Sequence, residues 1–186
     1  MQSALIVIDV QQSFMQRPYW RDDELPAFLQ RTQALIDRFH AARAPVLQVF
    51  HVEESVGAAG PFSQRSGLVA TLPDLRVEAT ETFYKSVHSA MFASTTAGQS
   101  LDYWLRRNGV GRVVVCGIRT EQCCETTTRH ASDLGYAVTY AIDATLTFPM
   151  VSGSGRTFSA QEIREHTALV LAGRFADVLE TQAVRV

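Results

Sequence analysis

The chain has 186 residues, of which 46% are hydrophobic and 19% are charged, and its formal net charge is −2. These values are ordinary for a soluble globular protein, and the length predicts one domain over residues 1–186. The small net charge gives no electrostatic basis for binding nucleic acid or an anionic membrane. No apolar run approaches the roughly 20 residues that a transmembrane helix needs. Three cysteines, two of them adjacent, form no disulfide framework and indicate a reducing, cytoplasmic setting.

The first predicted element is a strand at residues 4–8. This short, continuous apolar run is typical of a central parallel strand that is covered on both faces. No basic residue precedes it, and it ends at Asp9, so we interpret the N-terminus as a strand and not as a signal peptide. Ligands of open α/β sheets bind at the carboxyl ends of the strands, which makes Asp9 a candidate functional residue.

A loop, a helix and a second strand follow. Residues 11–24 are rich in aromatic side chains, and Pro18 interrupts any regular element. Pro26 opens a helix, because one face then carries residues at helical spacing, namely Phe28, Thr32, Leu35, Ile36 and Phe39. The second strand covers residues 46–50. Residues 51–75 show no sustained period and predict one long connection, of the kind that often serves as a lid or binding loop.

The next predicted strand, at residues 78–84, leads directly to Lys85. An amphipathic helix follows near residues 101–105. It ends at Asn108 and Gly109, a pair that suits a helix C-terminus because glycine readily adopts the left-handed conformation found there. Lys85 therefore stands at the end of a strand, as Asp9 does.

The end of the chain contains a strand at residues 137–142 that runs to Asp143. Ser159 and Glu162 form a capping box at the start of a C-terminal helix. A short final helix is predicted from Phe175, Val178 and Leu179. This alternation of strands and helices predicts an α/β fold, a Rossmann-like three-layer α/β/α sandwich around a mostly parallel sheet.

The stretch from residue 112 to residue 136 carries the clearest chemical signal. A buried strand at residues 113–115 is followed by a break at Gly117 and by a helix that should begin at Thr120, a good N-cap residue. This arrangement places Cys123 in the first turn of the helix, where the dipole and free backbone N–H groups favour a thiolate. A strand, a tight turn and a nucleophile at a helix start recur in enzymes that present a reactive side chain above a sheet.

Asp9, Lys85 and Cys123 thus fall at positions that a parallel sheet would gather. A thiol is a weak nucleophile until a neighbouring base removes its proton, and a carboxylate can take that proton. An ammonium group beside the pair stabilises both anions. These three groups suffice for acyl transfer where backbone donors stabilise the oxyanion. Cys116, in the strand, and Cys124, about 100° around the helix from Cys123, are expected to be core residues.

Four segments carry a family pattern in order: residues 4–14 (ALIVIDVQQSF), 85–95 (KSVHSAMFAST), 117–136 (GIRTEQCCETTTRHASDLGY) and 143–144 (DA). They resemble the isochorismatase-like cysteine hydrolases, a superfamily that includes nicotinamidases, N-carbamoylsarcosine amidohydrolases and ureidoacrylate hydrolases. The resemblance covers nearly the whole chain, and it implies an isochorismatase-like α/β fold.

The resemblance also implies roles. Cys123 would be the nucleophile, Asp9 the general base and Lys85 the supporting cation of a catalytic triad. A non-proline cis peptide would join Ile118 to Arg119, so that the backbone N–H groups of Arg119 and Cys123 form the oxyanion hole. The thiol would attack a carbonyl carbon, release an amine and leave a thioester for water to hydrolyse.

Four residues are candidates for the substrate pocket. The resemblance implies Phe14, and their positions in loops suggest Trp20 and Phe62. Arg119 stands where many members have a small residue, so its side chain either narrows the pocket or binds a carboxylate of the substrate. The metal motif of nicotinamidases is absent after the second strand, where only His51 stands, so we expect no metal and no other cofactor.

The resulting hypothesis is a hydrolase that cleaves a C–N bond of a small amide, ureido or carbamoyl substrate. Two other functions stay open at this point: isochorismatase-type hydrolysis of an enol ether, and a non-catalytic thiol-sensing or binding protein. The expected partners are a small-molecule substrate and further copies of the chain in a homo-oligomer, a dimer or tetramer, with no nucleic acid and no membrane.

Overall fold

The computed structural model describes residues 2–53 and 60–186. The strands are β1 (Gln2–Ile8), β2 (Val46–His51), β3 (Glu81–Lys85), β4 (Val110–Ile118), β5 (Ala137–Leu146), β6 (Met150–Val151), β7 (Thr157–Phe158) and β8 (Asp177–Leu179). The α-helices are α1 (Leu25–Ala41), α2 (Leu101–Arg107), α3 (Glu125–Asp133) and α4 (Ala160–Leu171). Six strands form one sheet in the order β3-β2-β1-β4-β5-β8, and every neighbouring pair in it is parallel. Strands β6 and β7 form a separate antiparallel hairpin.

The sheet separates two hydrophobic cores. Successive side chains of a strand point to opposite faces, and in β1 Ile6 belongs to one core and Leu5 to the other. Helix α1 packs in the core with Leu5, whereas α2, α3 and α4 contribute to the core with Ile6. The predicted three-layer α/β/α sandwich is therefore confirmed. Within the described ranges, no helix has the length and apolar character needed to cross a bilayer.

Local signals placed most helices correctly. Helix α1 has Pro26 in its first turn, and the five side chains predicted for one face are all buried. Asn108 is the C-cap of α2, and Gly109 follows with a φ of 66°, a left-handed value. Both hydrogen bonds of the capping box between Ser159 and Glu162 are present at the start of α4.

The predicted final helix is wrong. Val178 and Leu179 lie in β8, which pairs with β5, and a 3₁₀ turn follows at Thr181–Ala183. A three-residue strand has too little sequence to show a period, and the open edge of β5 supplies the hydrogen bonds that decide its conformation. Strand β5 itself is longer than predicted, because it continues past Asp143 to Leu146.

The long connection after β2 contains a buried aromatic ring. Residues 54–59 lie outside the described residues. Farther along the connection, Phe62 is buried, and Thr71 forms a bridge with Gln11 in the loop after β1. The connection therefore packs against the loop that follows β1, on the side of the sheet where Asp9 stands.

Candidate active site

Three strand ends bring Asp9, Lys85 and Cys123 together. Asp9 follows β1, Lys85 is the last residue of β3, and Cys123 lies in the turn after β4. The carboxyl ends of parallel strands share one edge of the sheet. There Lys85 Nζ lies 2.7 Å from Asp9 Oδ2 and 3.4 Å from Cys123 Sγ. All three side chains are buried, so the ammonium group bridges a carboxylate and a thiol away from bulk water.

Asp9 has an unusual backbone conformation and one carboxylate oxygen without a hydrogen-bond partner among the described residues. The residue has a φ of 54°, in the left-handed region that Asp adopts more readily than most residues. Its N–H donates to the carbonyl of Val49 at 2.8 Å, which holds this conformation against β2. Oδ2 accepts from Lys85, whereas Oδ1 is buried and accepts no hydrogen bond of ordinary geometry from the described residues. Oδ1 is therefore the oxygen available to a proton from Cys123.

Close contact between β1 and β4 requires a glycine at position 117. Gly117 pairs with Ile8 and has a φ of 133°. A Cβ atom built there would lie 2.0 Å from the carbonyl oxygen of Ile8, closer than any non-bonded contact allows. Gly117 thus lets β4 approach β1 immediately before the turn that carries Cys123.

The turn itself differs from the prediction. Thr120 does not cap a helix; instead Thr120–Cys124 form a π-helical turn that precedes α3. The Thr120 hydroxyl donates to Thr145 Oγ1 at 2.8 Å, and the Tyr140 hydroxyl donates to the Thr120 carbonyl at 2.7 Å. The side chain and the carbonyl of Thr120, which we expected to bond within the helix, therefore bond to residues of β5. The peptide bond between Ile118 and Arg119 is cis.

The electrostatics of the buried cluster correct the expectation of a resting thiolate. Burial, followed by the Asp9 carboxylate, raises the pKa of Cys123 to about 12, although Lys85 acts in the opposite direction. For Lys85, burial acts to lower the pKa. The charges of Asp9 and Cys123 and their hydrogen bonds with Lys85 outweigh this effect, so the pKa of Lys85 is raised. The resting state consists of a neutral thiol beside a carboxylate and an ammonium group. Loss of solvation outweighs the favourable charges because the side chain is almost fully enclosed.

The other two cysteines lie in the core. Cys116 is fully buried in β4, and burial raises its pKa. Cys124 is fully buried as well, and burial, followed by the neighbouring cysteines, raises its pKa. Neither cysteine contacts Lys85, and all three cysteines of the chain are free thiols. Among the three, Cys123 alone lines a cleft.

Cys123 lies at the floor of a cleft of about 340 Å³, whose walls mix aromatic and charged side chains: Phe14, Arg17, Pro18, Tyr19, His51, Glu53, Phe62, His88, Arg119 and Gln122. The structure places Phe14, Phe62 and Arg119 on these walls. Trp20 does not line the cleft, which corrects the prediction. Its ring packs 5.2 Å from that of Phe148, and its N–H donates to Asp22 at 2.6 Å.

Tyr19, which precedes Trp20, lines the cleft instead, and it contacts the side chain of Arg119. The guanidinium of Arg119 lies over the ring of Tyr19 at 4.7 Å, and its Nη2 is 2.8 Å from Glu121 Oε1. Thr147 donates to the other oxygen of Glu121 at 2.6 Å. Arg119 therefore has a carboxylate partner within the chain, while its Nε is buried without a hydrogen-bond partner among the described residues.

The sequence did not assign a role to His51, the last residue of β2. Its Nδ1 lies 3.3 Å from Lys85 Nζ, so it joins the cluster directly. The signal that could have identified it is its position, because it ends a strand at the same edge as Asp9 and Lys85. Within the described part of the chain, no three His, Cys, Asp or Glu side chains are grouped to hold a metal ion.

A parallel α/β sheet with a thiol, a carboxylate and an ammonium group at its carboxyl edge defines the class of this protein. A family model described as Isochorismatase domain matches residues 3–183. The chain belongs to the isochorismatase family, and its hydrolase relatives include a plant nicotinamidase.

Three similar proteins illustrate the relationship. Nicotinamidase 3 of Arabidopsis thaliana is 27% identical, over 98% of this chain and 87% of its own length. The secreted isochorismatase effector Isc1 of Verticillium dahliae is 27% identical, over 76% of this chain and 71% of its own. The crystal structure of an isochorismatase-family hydrolase from Chromobacterium violaceum is 28% identical, has a TM-score of 0.84, and is matched over 97% of this chain and 90% of that one.

Proposed function

We propose that the chain is a cysteine hydrolase that cleaves a C–N bond of a small amide, ureido or carbamoyl compound through a thioester. One observation carries this proposal: the Lys85 ammonium lies within contact distance of both the Asp9 carboxylate and the Cys123 thiol at the floor of a cleft. A family relative named as a nicotinamidase supports an amide substrate. The cleft volume of about 340 Å³ suits a small molecule.

Acylation begins with the neutral thiol. Cys123 Sγ attacks the carbonyl carbon while its proton passes to Asp9 Oδ1, and the raised pKa of the thiol makes this transfer part of the attack step. The backbone N–H groups of Arg119 and Cys123 stabilise the oxyanion. Asp9 then returns the proton to the leaving nitrogen, the C–N bond breaks, and a thioester remains. Lys85 keeps its charge throughout and stabilises the anion on either partner.

Deacylation uses the same groups in the reverse order. A water molecule attacks the thioester carbonyl, and Asp9 takes its proton. The tetrahedral intermediate collapses with cleavage of the C–S bond, the product leaves as an acid, and the proton on Asp9 returns to the Cys123 thiolate. Because one carboxylate serves as base and acid in both halves, its unpartnered oxygen Oδ1 must face the reacting atoms.

The test is a screen of small amides and ureides for ammonia release. The Cys123→Ala variant should lose at least about a thousandfold in kcat/KM towards any substrate found, because no other group can form the thioester. Cys124→Ala is the matched control: it removes an adjacent thiol, and activity per folded molecule should stay within about threefold of the wild type, as expected of a residue away from the reacting atoms. Equal activity of Cys123→Ala and wild type on an amide would contradict the proposal.

The same variants separate the other two functions. Hydrolysis of an enol ether needs the carboxylate and the ammonium group but no thioester, so Cys123→Ala would keep that activity. A thiol sensor would cycle between thiol and disulfide without consuming an amide. Full burial of Cys116 and Cys124, together with the raised pKa of all three thiols, disfavours the sensor.

We further propose a cytoplasmic homo-oligomer, a dimer or tetramer. Three free thiols suit a reducing compartment. Exposed apolar side chains on the β6–β7 hairpin and on α4 form a groove that a second copy could cover, including Val151 and Leu169. Sedimentation equilibrium at several concentrations tests the assembly, since a monomer has a mass of 20.6 kDa. A single species of that mass at every concentration would contradict it.

A further inference from the structure

His51 occupies the gap between the strands that carry Asp9 and Lys85. It ends β2, which lies between β1 and β3 in the sheet. Its two ring nitrogens face groups of opposite charge: Nδ1 is 3.3 Å from Lys85 Nζ, and Nε2 is 3.3 Å from Glu53 Oε1. Both His51 and Glu53 line the cleft that contains Cys123. The imidazole thus connects the buried ammonium group to a carboxylate at the mouth of the site.

The position of His51 is held from both sides of its backbone. Its N–H donates to Gln11 Oε1 at 2.8 Å, and Gln11 Nε2 donates to the His51 carbonyl at 2.9 Å and to Ser13 Oγ at 3.0 Å. The ring of Phe62 meets the imidazole edge to face at 5.8 Å. Gln11 and Ser13 are fully buried, so this arrangement is a rigid support for the ring.

The chemistry of the contact specifies the state of the imidazole. An ammonium group has three N–H donors and no acceptor. For Lys85 to donate to His51, the ring nitrogen that faces it has to be unprotonated, and a neutral ring then carries its proton on Nε2, next to Glu53. The contacts of Lys85 with Asp9, Cys123 and His51 match its three donors. Burial and Lys85 lower the pKa of His51, and Asp9 and Glu53 oppose this shift without cancelling it.

We propose that neutral His51 is a positioning residue for Lys85. By accepting one N–H of the ammonium group, it directs the other two to Asp9 and Cys123. This role rests on the hydrolase mechanism proposed above. Protonation of the ring would remove the acceptor and place two cations 3.3 Å apart. Glu53 would partly compensate, but it also pairs with Arg17, at 3.1 Å. The site should therefore lose its alignment in acid.

A generic acylating agent, 4-nitrophenyl acetate, measures the effect without knowledge of the natural substrate. Its ester carbonyl acetylates Cys123 and releases 4-nitrophenol, which is followed where phenol and phenolate absorb equally. His51→Leu removes the acceptor, and His51→Gln keeps an amide oxygen for Lys85 and a donor for Glu53. His40→Leu is the control, because His40 lies in α1 outside the lining of this cleft, and its Nε2 contacts the Glu78 carbonyl at 3.0 Å.

The acylation rate constant of His51→Leu should fall between about tenfold and a hundredfold with little change in half-saturation, as expected when a catalytic group is misplaced. The rate constant of His51→Gln should stay within about threefold of that of the wild type at neutral pH. The wild-type rate constant should decline below pH 6.5, the ordinary pKa of histidine, and that of His51→Gln should not. His40→Leu should stay within about twofold at every pH. A wild-type rate and pH profile in His51→Leu would overturn the proposal.

Nitrogen NMR of the wild type gives a second measurement that needs neither turnover nor a variant. At pH 7, His51 should be neutral, with its proton on Nε2, and should titrate below pH 6.5. An imidazolium, or a proton on Nδ1, would overturn the proposal whatever the variants do. Two results would contradict the hydrolase function instead: wild-type protein that shows no initial burst of 4-nitrophenol release, or a burst that persists in Cys123→Ala. The NMR measurement would still decide the protonation state of His51.

Discussion

Two carboxylates near the carboxyl edge of the sheet have different surroundings. Asp9 follows β1, bonds to Lys85 through Oδ2 and keeps Oδ1 unpartnered among the described residues. Asp143, in β5, accepts the backbone N–H and the hydroxyl of Thr181 at 2.7 Å each, and its other oxygen lies 3.5 Å from Arg31. Asp143 also borders the larger cleft, of about 440 Å³, against about 340 Å³ beside Asp9.

This difference teaches that neither position near the carboxyl edge of the sheet nor the size of a cleft identifies the carboxylate that we propose as the base. The hydrogen bonds of Asp143 Oδ1 hold the turn after β8 against β5, so this oxygen is engaged in the fold. Asp9 has a buried cation on one oxygen, and the other oxygen has no competing donor. The two carboxylates differ in their neighbours: the cation on Asp9 also contacts the Cys123 thiol, whereas the cation near Asp143 is half exposed.

The comparison is tested most strongly by activity. Asp9→Asn removes the base and should lower kcat by about a hundredfold to ten-thousandfold, the range that a positioned acid–base group contributes. Asp143→Asn keeps an acceptor oxygen for Thr181 and should leave kcat within about threefold. Steady-state ammonia release from the best amide of the screen measures both. Equal losses would show that the two carboxylates do not differ in role.

The next largest expected effect is on stability, where the cations beside the two carboxylates, Lys85 and Arg31, should differ. Lys85→Met leaves the carboxylate of Asp9 buried without a partner, which costs about 3–5 kcal/mol of unfolding free energy. Arg31→Met removes a long contact from a side chain that is 51% exposed and should cost less than about 1 kcal/mol after solvent screening.

Urea unfolding measures the free energy of unfolding of both single variants. The double variant Asp9→Asn, Lys85→Met is the control. It removes both charges and should recover part of the loss seen in Lys85→Met. A double variant less stable than Lys85→Met alone would contradict a buried pair in which the lysine neutralises the carboxylate.

The smallest expected effect concerns the reactivity of the thiol. Because Asp9 helps to raise the pKa of Cys123, Asp9→Asn should lower this pKa and speed alkylation by iodoacetamide at pH 8–9 by several-fold, up to about tenfold for one pKa unit. The variant would thus be a poorer hydrolase with a more reactive thiol. Asp143→Asn should leave the rate unchanged.

Mass spectrometry of the alkylated peptide, with fragmentation to separate Cys123 from Cys124, gives the rates of alkylation. For wild-type Cys123, the alkylation rate should still be rising at pH 9, because its pKa is about 12. A plateau near pH 7 would instead indicate a resting thiolate. Slower alkylation of Asp9→Asn than of wild type would show that Asp9 does not oppose ionisation of the thiol.

Much of the fold and the reactive residues could be predicted from the sequence because their signals are local. The apolar run before Asp9, the buried face of α1 and the capping box at Ser159 each involve residues a few positions apart. The strand before Cys123 and the glycine that allows close approach are also local features. The meeting of Asp9 with Lys85 follows from parallel strands, whose carboxyl ends must share an edge.

The errors fall where distant residues decide. Thr120 was predicted to cap a helix, but Thr145 and Tyr140 on β5 engage it instead. Trp20 was expected in the cleft, yet adjacent Tyr19 lines it, because one step along an irregular loop changes which side chain faces inward. No period predicts that direction in a loop.

The sequence by itself determined the α/β fold and predicted that Asp9, Lys85 and Cys123 meet at one edge of the sheet. Pairing with β5 decided that residues 177–179 form a strand and not a helix. Burial decided that the neutral thiol of Cys123 is favoured over the thiolate. The contact of His51 with Lys85 also arose only when β2 paired with β3. Local patterns record which side chains a strand or helix presents, whereas solvation and partners depend on segments that come together only in the folded chain.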